Sequence, residues 1–225
     1  MIEFKHVYKT YGTSSGSGQH TLRDVSFKIK KGEFIFLIGP SGAGKTTLFK
    51  LISAYEKISS GEVSVLGHNV GQLKRGQIPF LRRKIGFVLQ SYKLLKNKTV
   101  FENIELPLII LNVNKEERQK KVSAMISQVG LTEVQDQFPD FLSGGEQQRV
   151  AIARALIHDP EIVIADEPTG NLDPELSNSI MNLFFKFSKS GVTFVVATHD
   201  YRLIKEPGCR ILKVDKGELV EDHIL

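Results

Sequence analysis

Apolar residues along this chain follow two rhythms. Phe34-Ile35-Phe36-Leu37-Ile38 is an unbroken apolar run that stops at Gly39, and residues 85–89, 162–165 and 193–197 repeat the theme. A run that is apolar at every position reads as a strand covered on both faces, the habit of a parallel sheet. Each of the later runs meets a polar residue directly: Gln90, Asp166 and Thr198-His199. Polar groups gathered at strand C-termini are where open α/β sheets take ligands. Two more strand-like stretches, 2–8 and 22–29, flank Gly12-Thr13-Ser14-Ser15-Gly16-Ser17-Gly18, which reads as a mobile loop.

The second rhythm is helical. Asn114 with Glu117 has the form of a capping box, and Val122, Met125, Ile126 and Val129 mark one face before Gly130. Asp173 caps another helix with Pro174 at its first position; Leu176, Ile180, Leu183, Phe184 and Phe187 form its apolar stripe and Gly191 stops it. No internal repeat is present. Residues from about 91 to 155 are mostly helical and separate two groups of strands, as a helical subdomain inserted in an α/β core would. The expectation is a single domain over residues 1–225.

Composition narrows the function. The 225 residues, 41% hydrophobic and 24% charged, suit one globular domain. No apolar run approaches the roughly 20 residues that span a bilayer. The longest are 34–38 and 104–111, and Pro107 interrupts the second. Met1-Ile2-Glu3-Phe4-Lys5 starts as a strand, without the layout of a signal peptide. The chain is therefore expected in the cytoplasm, with any membrane role supplied by a partner. Cys209 is the only cysteine, which excludes an intrachain disulfide and a cysteine cluster for zinc. The net charge of +5 is modest, and its basic residues are dispersed apart from Arg82-Arg83-Lys84 and a group in 115–121 that reads as a solvated helix face. No nucleic-acid partner is expected.

The chemistry is concentrated in short motifs. Gly39-Pro40-Ser41-Gly42-Ala43-Gly44-Lys45-Thr46, followed by Thr47, fits the phosphate-loop pattern directly after an apolar strand. Glycines let backbone N–H groups turn inward on phosphate oxygens, and the helix beginning near Lys45 adds its positive end. Lys45 supplies a mobile cation for the β- and γ-phosphates, and the Thr46 hydroxyl a ligand for Mg²⁺. Asp166 ends an apolar strand where a carboxylate holds Mg²⁺, and Glu167 stands one residue further, where it can polarise a water for attack on the γ-phosphate. Leu142-Ser143-Gly144-Gly145-Glu146-Gln147-Gln148-Arg149 makes a second anion-binding helix start, and Asn171-Leu172-Asp173-Pro174 and His199 follow in order.

This ordered set, spanning essentially the whole chain, resembles the ATP-binding cassette (ABC) family. The resemblance implies an α/β P-loop NTPase fold: a mainly parallel core sheet, a small antiparallel β subdomain and the inserted helical subdomain. It implies an ATPase that uses ATP and Mg²⁺. Tyr11 is similar to the aromatic that stacks on adenine, although a plain strand-end tyrosine is the competing reading. Gln90 is similar to the glutamine that touches Mg²⁺ and senses the γ-phosphate, His199 to the switch histidine, and Asp173 to an aspartate that communicates across a dimer. Ser143, Gly145 and Glu146 would face nucleotide held by a second copy, so that two cassettes close head to tail.

Within the family the chain resembles the FtsE cell-division branch, through Pro79-Phe80-Leu81-Arg82-Arg83-Lys84-Ile85-Gly86, Thr99-Val100-Phe101-Glu102-Asn103-Ile104 and Ala165-Asp166-Glu167-Pro168-Thr169-Gly170. The Gly/Ser-rich stretch after Tyr11 and Phe87-Val88-Leu89 before Gln90 depart from the usual pattern. The branch implies an integral membrane partner of FtsX type, a peripheral position on the cytoplasmic face of the inner membrane, and control of peptidoglycan hydrolases. Tyr92, Leu94 and Leu95 read either as the surface for that partner or as subdomain core. The alternatives are the ATPase of a lipoprotein-releasing or macrolide-export (LolD or MacB type) transporter, a soluble cassette acting on DNA or ribosomes, and an ATP-binding scaffold.

Overall fold

The computed structural model describes residues 1–12, 19–204 and 207–225, so most of the Gly/Ser-rich segment expected as a mobile loop, 13–18, lies outside the described residues. Strands β1 (Ile2–Tyr11), β2 (Gln19–Ile29), β4 (Ser60–Val65) and β5 (His68–Asn69) form an antiparallel sheet in the order β2-β1-β4-β5. Strands β3 (Phe34–Ile38), β6 (Ile85–Leu89), β7 (Ile162–Asp166), β8 (Thr193–Thr198), β9 (Arg210–Asp215) and β10 (Glu218–Ile224) form the second sheet, ordered β10-β9-β3-β8-β7-β6. All its pairings are parallel except β9 with β10.

The unbroken apolar strands feed two cores, one on each face. Phe34, Phe36 and Ile38 of β3 join one cluster with helices α3 (Val100–Ile110), α4 (Lys115–Val129), α5 (Gly144–Leu156) and α6 (Pro174–Ser188). Ile35 and Leu37 point the other way, into a cluster with α1 (Lys45–Ile52), α2 (Ile78–Arg82) and the antiparallel sheet. Alternate side chains of a strand leave opposite faces, so a strand between two layers must be apolar throughout.

Local signals start and stop the helices. Asn114 accepts from the Glu117 N–H at 2.9 Å to open α4, and Gly130 closes it at φ 72°. Val122, Ile126 and Val129 are buried, whereas Met125 is only partly so. Asp173 accepts from the Leu176 N–H at 2.9 Å to open α6. Its buried residues are Ser177, Ile180, Met181, Leu183 and Phe184, so the buried stripe is broader than the expected one and leaves Leu176 and Phe187 half-buried. Pro107, which interrupts the apolar run, sits inside α3, and the reciprocal Thr99–Glu102 capping box starts that helix. Among the described residues no helix is long and apolar enough to cross a membrane.

Candidate functional site

The site is built where β3, β6, β7 and β8 end. Gly39 leaves β3 at φ +151°, and a Cβ there would land on the Val214 carbonyl oxygen, so no larger residue fits. Gly44 precedes α1 at φ +113°, with Leu22 Cδ2 2.8 Å and Thr21 O 3.0 Å from where a Cβ would stand. The loop between them delivers the first turn of α1, whose N–H groups have no acceptor within a helix, to a cavity of about 820 Å³. Residues 41–47 line it together with Thr21, Leu89, Gln90, Ser91, Asp166, Glu167 and His199.

Charged groups meet across this cavity. The Lys45 ammonium donates to Gly39 O at 2.6 Å and Pro40 O at 3.1 Å, and stands 4.0 Å from Glu167 Oε1. The Thr46 hydroxyl donates to Asp166 Oδ2 at 3.2 Å. Burial pushes the Asp166 carboxyl above its ordinary range; the Thr46 bond and Lys45 oppose this, and the Glu167 charge adds to it. His199 Nδ1 lies 2.8 Å from Glu167 Oε2. An ionised carboxylate only accepts, so Nδ1 carries the proton of that bond. Glu167 holds φ +48° and donates its N–H to Ala197 O at 3.0 Å. A left-handed non-glycine residue costs about 1–3 kcal/mol, and such strain gathers at functional sites. The Gln90 side chain closes the far wall, where Gly170 leaves room: a Cβ at Gly170 would stand 2.9 Å from Gln90 Nε2.

The geometry thus gathers Ser41, Gly42, Ala43, Gly44, Lys45, Thr46, Thr47, Gln90, Asp166, Glu167 and His199 at one cavity, with Gly39 and Pro40 behind Lys45. Tyr11 does not line it. That residue ends β1 opposite Gln19, two positions and about 7 Å along β2 from Thr21. Its hydroxyl is buried without a partner and the Lys9 ammonium lies 4.6 Å from its ring centre. Ser143, Gly145 and Glu146 also stand apart, at the start of α5. There the Ser143 hydroxyl donates to Glu146 Oε2 at 2.6 Å and the Ser143 N–H to the same oxygen at 2.8 Å, which holds the Glu146 carboxyl below its ordinary range. Gly145 packs on α6, with Leu176 Cδ2 2.5 Å from the place of a Cβ. Thr21, Leu89 and Ser91 line the cavity without having been singled out in the sequence; Ser91 and Leu89 flank Gln90, whereas Thr21 carries no local signal.

The donor set suits Mg²⁺. Among the described residues no cluster of three or more His, Cys, Asp or Glu could cage a metal. Mg²⁺ is instead held by one or two carboxylates plus substrate phosphates and water, and the adjoining Thr46 and Asp166 oxygens are hard ligands of that kind.

Comparison with known proteins agrees with this geometry. Residues 22–170 match the family model described as ABC transporter. The chain is 46% identical over 219 residues to the cell division ATP-binding protein FtsE of Escherichia coli (strain K12), covering 97% of each chain. It is 41% identical over 223 residues to FtsE of Streptococcus pneumoniae (serotype 2), covering 99% of this chain and 95% of the relative. It superposes on the dimeric post-hydrolysis structure of the ATP-binding cassette MJ0796 bound to ADP and Pi with a TM-score of 0.90, at 38% identity, covering 100% of this chain and 99% of that one. A chain so alike over its whole length in sequence, fold and phosphate-loop geometry is a member of the ABC transporter family, on its FtsE branch.

Proposed function

We propose that this chain is the ATP-binding and hydrolysing subunit of an FtsE-like complex that drives an FtsX-like membrane partner in cell division. The observation that carries the reading is one cavity in which Lys45, Thr46, Asp166, Glu167, His199 and Gln90 converge at the ends of parallel strands. On this reading the whole chain is one nucleotide-binding domain, with residues of about 91–155 inserted as its helical subdomain.

The roles follow from the geometry. Amides of the 41–47 loop and the start of α1 hold the phosphates, and Lys45 swings from the Gly39 and Pro40 carbonyls to the β- and γ-phosphates. Thr46 and Asp166, with Gln90 as a further candidate ligand, would hold Mg²⁺, which would neutralise charge on the phosphate oxygens. Glu167 orients and deprotonates the attacking water, and His199 fixes the carboxylate through Nδ1 while its other edge faces the γ-phosphate. Tyr11, which stands off the cavity with Lys9 over its ring, is proposed as the adenine-stacking residue on the family resemblance alone.

Ser143, Gly145 and Glu146 lie outside this cavity, which supports a site completed by a second copy, as in the dimeric cassette structures. ATP then bridges two helix N-termini from different chains, and hydrolysis releases the bridge. With no membrane-crossing helix among the described residues, the chain would sit at the membrane through its partner. Phosphate release from ATP tests the activity: turnover that needs Mg²⁺ and stops with EDTA is expected, and metal-independent or absent turnover would overturn it.

A further inference from the structure

Gln90 is followed by an unusual stretch of backbone. Tyr92 and Lys93 are consecutive non-glycine residues in the left-handed region, at φ 55° and 49°. Each pays steric strain there, so the turn persists only if something outside it holds it. The carbonyls that this turn exposes are both taken by one side chain. Arg154, half-buried in the last turn of α5, donates from Nη2 to Tyr92 O at 2.7 Å and from Nη1 to Lys93 O at 2.8 Å. The Tyr92 ring reaches towards the other end of the same helix, where its hydroxyl lies 3.4 Å from the place of a Cβ on Gly144. Tyr92 is thus gripped at its carbonyl by the end of α5 and packed at its phenol beside Ser143. Ser143 and Arg154 are eleven residues and about 16 Å apart, joined by a rigid helix. On the other side of the segment, buried Asn103 of α3 bonds to the backbone of Leu95, Lys98 and Thr99. The chain after Gln90 is therefore tied to the helical layer, and Gln90 stands between that layer and the end of β6.

We infer that Arg154 is a positioning residue that couples Gln90 to the Ser143 end of α5, so that contact made at Ser143 is transmitted to the nucleotide bound in the same chain's own cavity. The inference rests on the ATPase reading for its kinetic consequence, but its structural half stands on the turn alone. Arginine suits the task because its planar fork meets two successive carbonyls at once, which a lysine ammonium on a flexible stem does not reproduce. No side chain of the phosphate loop or of the Asp166–Glu167 strand end touches Arg154 by hydrogen bond, so nucleotide affinity has no direct dependence on it.

The test compares Arg154→Ala and Arg154→Lys with Arg118→Ala. The last removes another half-buried arginine of the helical layer, which bonds Glu105 and Val113 O and lies away from the turn. Three quantities are read: kcat and KM for Mg-ATP, calorimetric ATP affinity, and amide hydrogen exchange along the chain. Misplacement of a positioned group by about an ångström can cost on the order of a hundredfold in rate, so a fall in kcat of at least tenfold is expected for Arg154→Ala. ATP affinity should stay within about threefold, with exchange accelerated in residues 90–95 and unchanged in the phosphate loop; Arg154→Lys should be intermediate and Arg118→Ala near wild type in kcat. If Arg154→Ala does not fold, Arg154→Lys carries the comparison. Equal effects of Arg154 and Arg118 replacement, or exchange raised throughout α5 with 90–95 no more affected, would overturn the inference. Absence of turnover in the wild type would instead count against the ATPase reading and leave the exchange comparison decisive for the turn.

Discussion

Replacing Glu167 by Gln separates binding from chemistry, and the direction of each effect can be worked from the cavity. Glutamine has the same shape, so the left-handed backbone at position 167 and the bond from His199 Nδ1 can both be kept. What changes is charge. Glu167 Oε1 lies 4.0 Å from the Lys45 ammonium, with both side chains largely shielded from solvent. At an effective dielectric near 20 that attraction is about 4 kcal/mol, and it competes with any phosphate for the lysine. The substitution removes the competitor and also removes a negative charge facing a triphosphate, so ATP affinity should hold or rise. Turnover should fall, because loss of a positioned general base costs roughly 10²–10⁴ in rate, about 3–5 kcal/mol of barrier. Calorimetry with Mg-ATP, phosphate release and size-exclusion chromatography read the three consequences, the last as an accumulated ATP-bound dimer. A variant within tenfold of wild-type turnover, or one binding ATP tenfold more weakly, would refute this assignment of Glu167.

Two further outcomes are expected. Gly86→Ala should destabilise the fold by about 3 kcal/mol, because a Cβ there lands on Ala155 O and stands 3.1 Å from that carbonyl carbon and 3.3 Å from Pro160 Cγ, leaving only backbone and a stiff proline ring to move; urea denaturation reads it, and a loss below about 0.5 kcal/mol would contradict the packing of β6 on α5. The Asp200 carboxyl is held down to about 2 by the two-pronged bond from Arg202. A depressed acid stabilises the fold above its unfolded pKa and loses that contribution as pH falls from about 4 through 2, so Arg202→Ala should return the Asp200 midpoint towards 3.8 in an NMR titration; an unmoved midpoint would contradict the pairing.

Much of the fold was legible because the parallel strands are apolar at every position and the helices carry explicit caps. β3, β6, β7 and β8 announce themselves since no solvent face interrupts them. β4, β5, β9 and β10 did not. β10 is exposed along nearly its whole length and carries Glu218, Glu221, Asp222 and His223, and it becomes a strand through pairing with β9, where Lys213 meets Glu221 and Arg210 meets Asp222. α3 carries Pro107 in its interior, where the Thr99 capping box and the packing of Ile104 and Leu108 outweigh the backbone bond the proline removes.

The candidate site was legible as residues but not as contacts. Thr46 and Asp166 are 120 positions apart, and Glu167 and His199 are 32 apart. They meet because β7 and β8 are neighbours in register, with Asp166 opposite Ala197, and β3 lies on the other side of β8. Strand order is a property of the packed sheet, and local pattern does not encode it. The same limit hid Thr21, which reaches the cavity only because β2 runs beside the start of α1 and the 217 turn, where Arg23 donates to Gly217 O. Arg154 carries no signal in the local pattern either, because its partners, two successive carbonyls, lie 61 and 62 positions away.

The central claim is that each hydrolytic site joins Lys45 of one copy to Ser143 of another. Mixing two inactive variants, Lys45→Ala and Ser143→Arg, tests it most directly. Each variant alone has two damaged sites per dimer and should release negligible phosphate. A head-to-tail pair containing one of each restores a single intact site, so an equal mixture that assorts freely should recover about a quarter of wild-type turnover. A mixture as inactive as its components, or a Ser143→Arg variant with wild-type turnover on its own, would contradict the shared site.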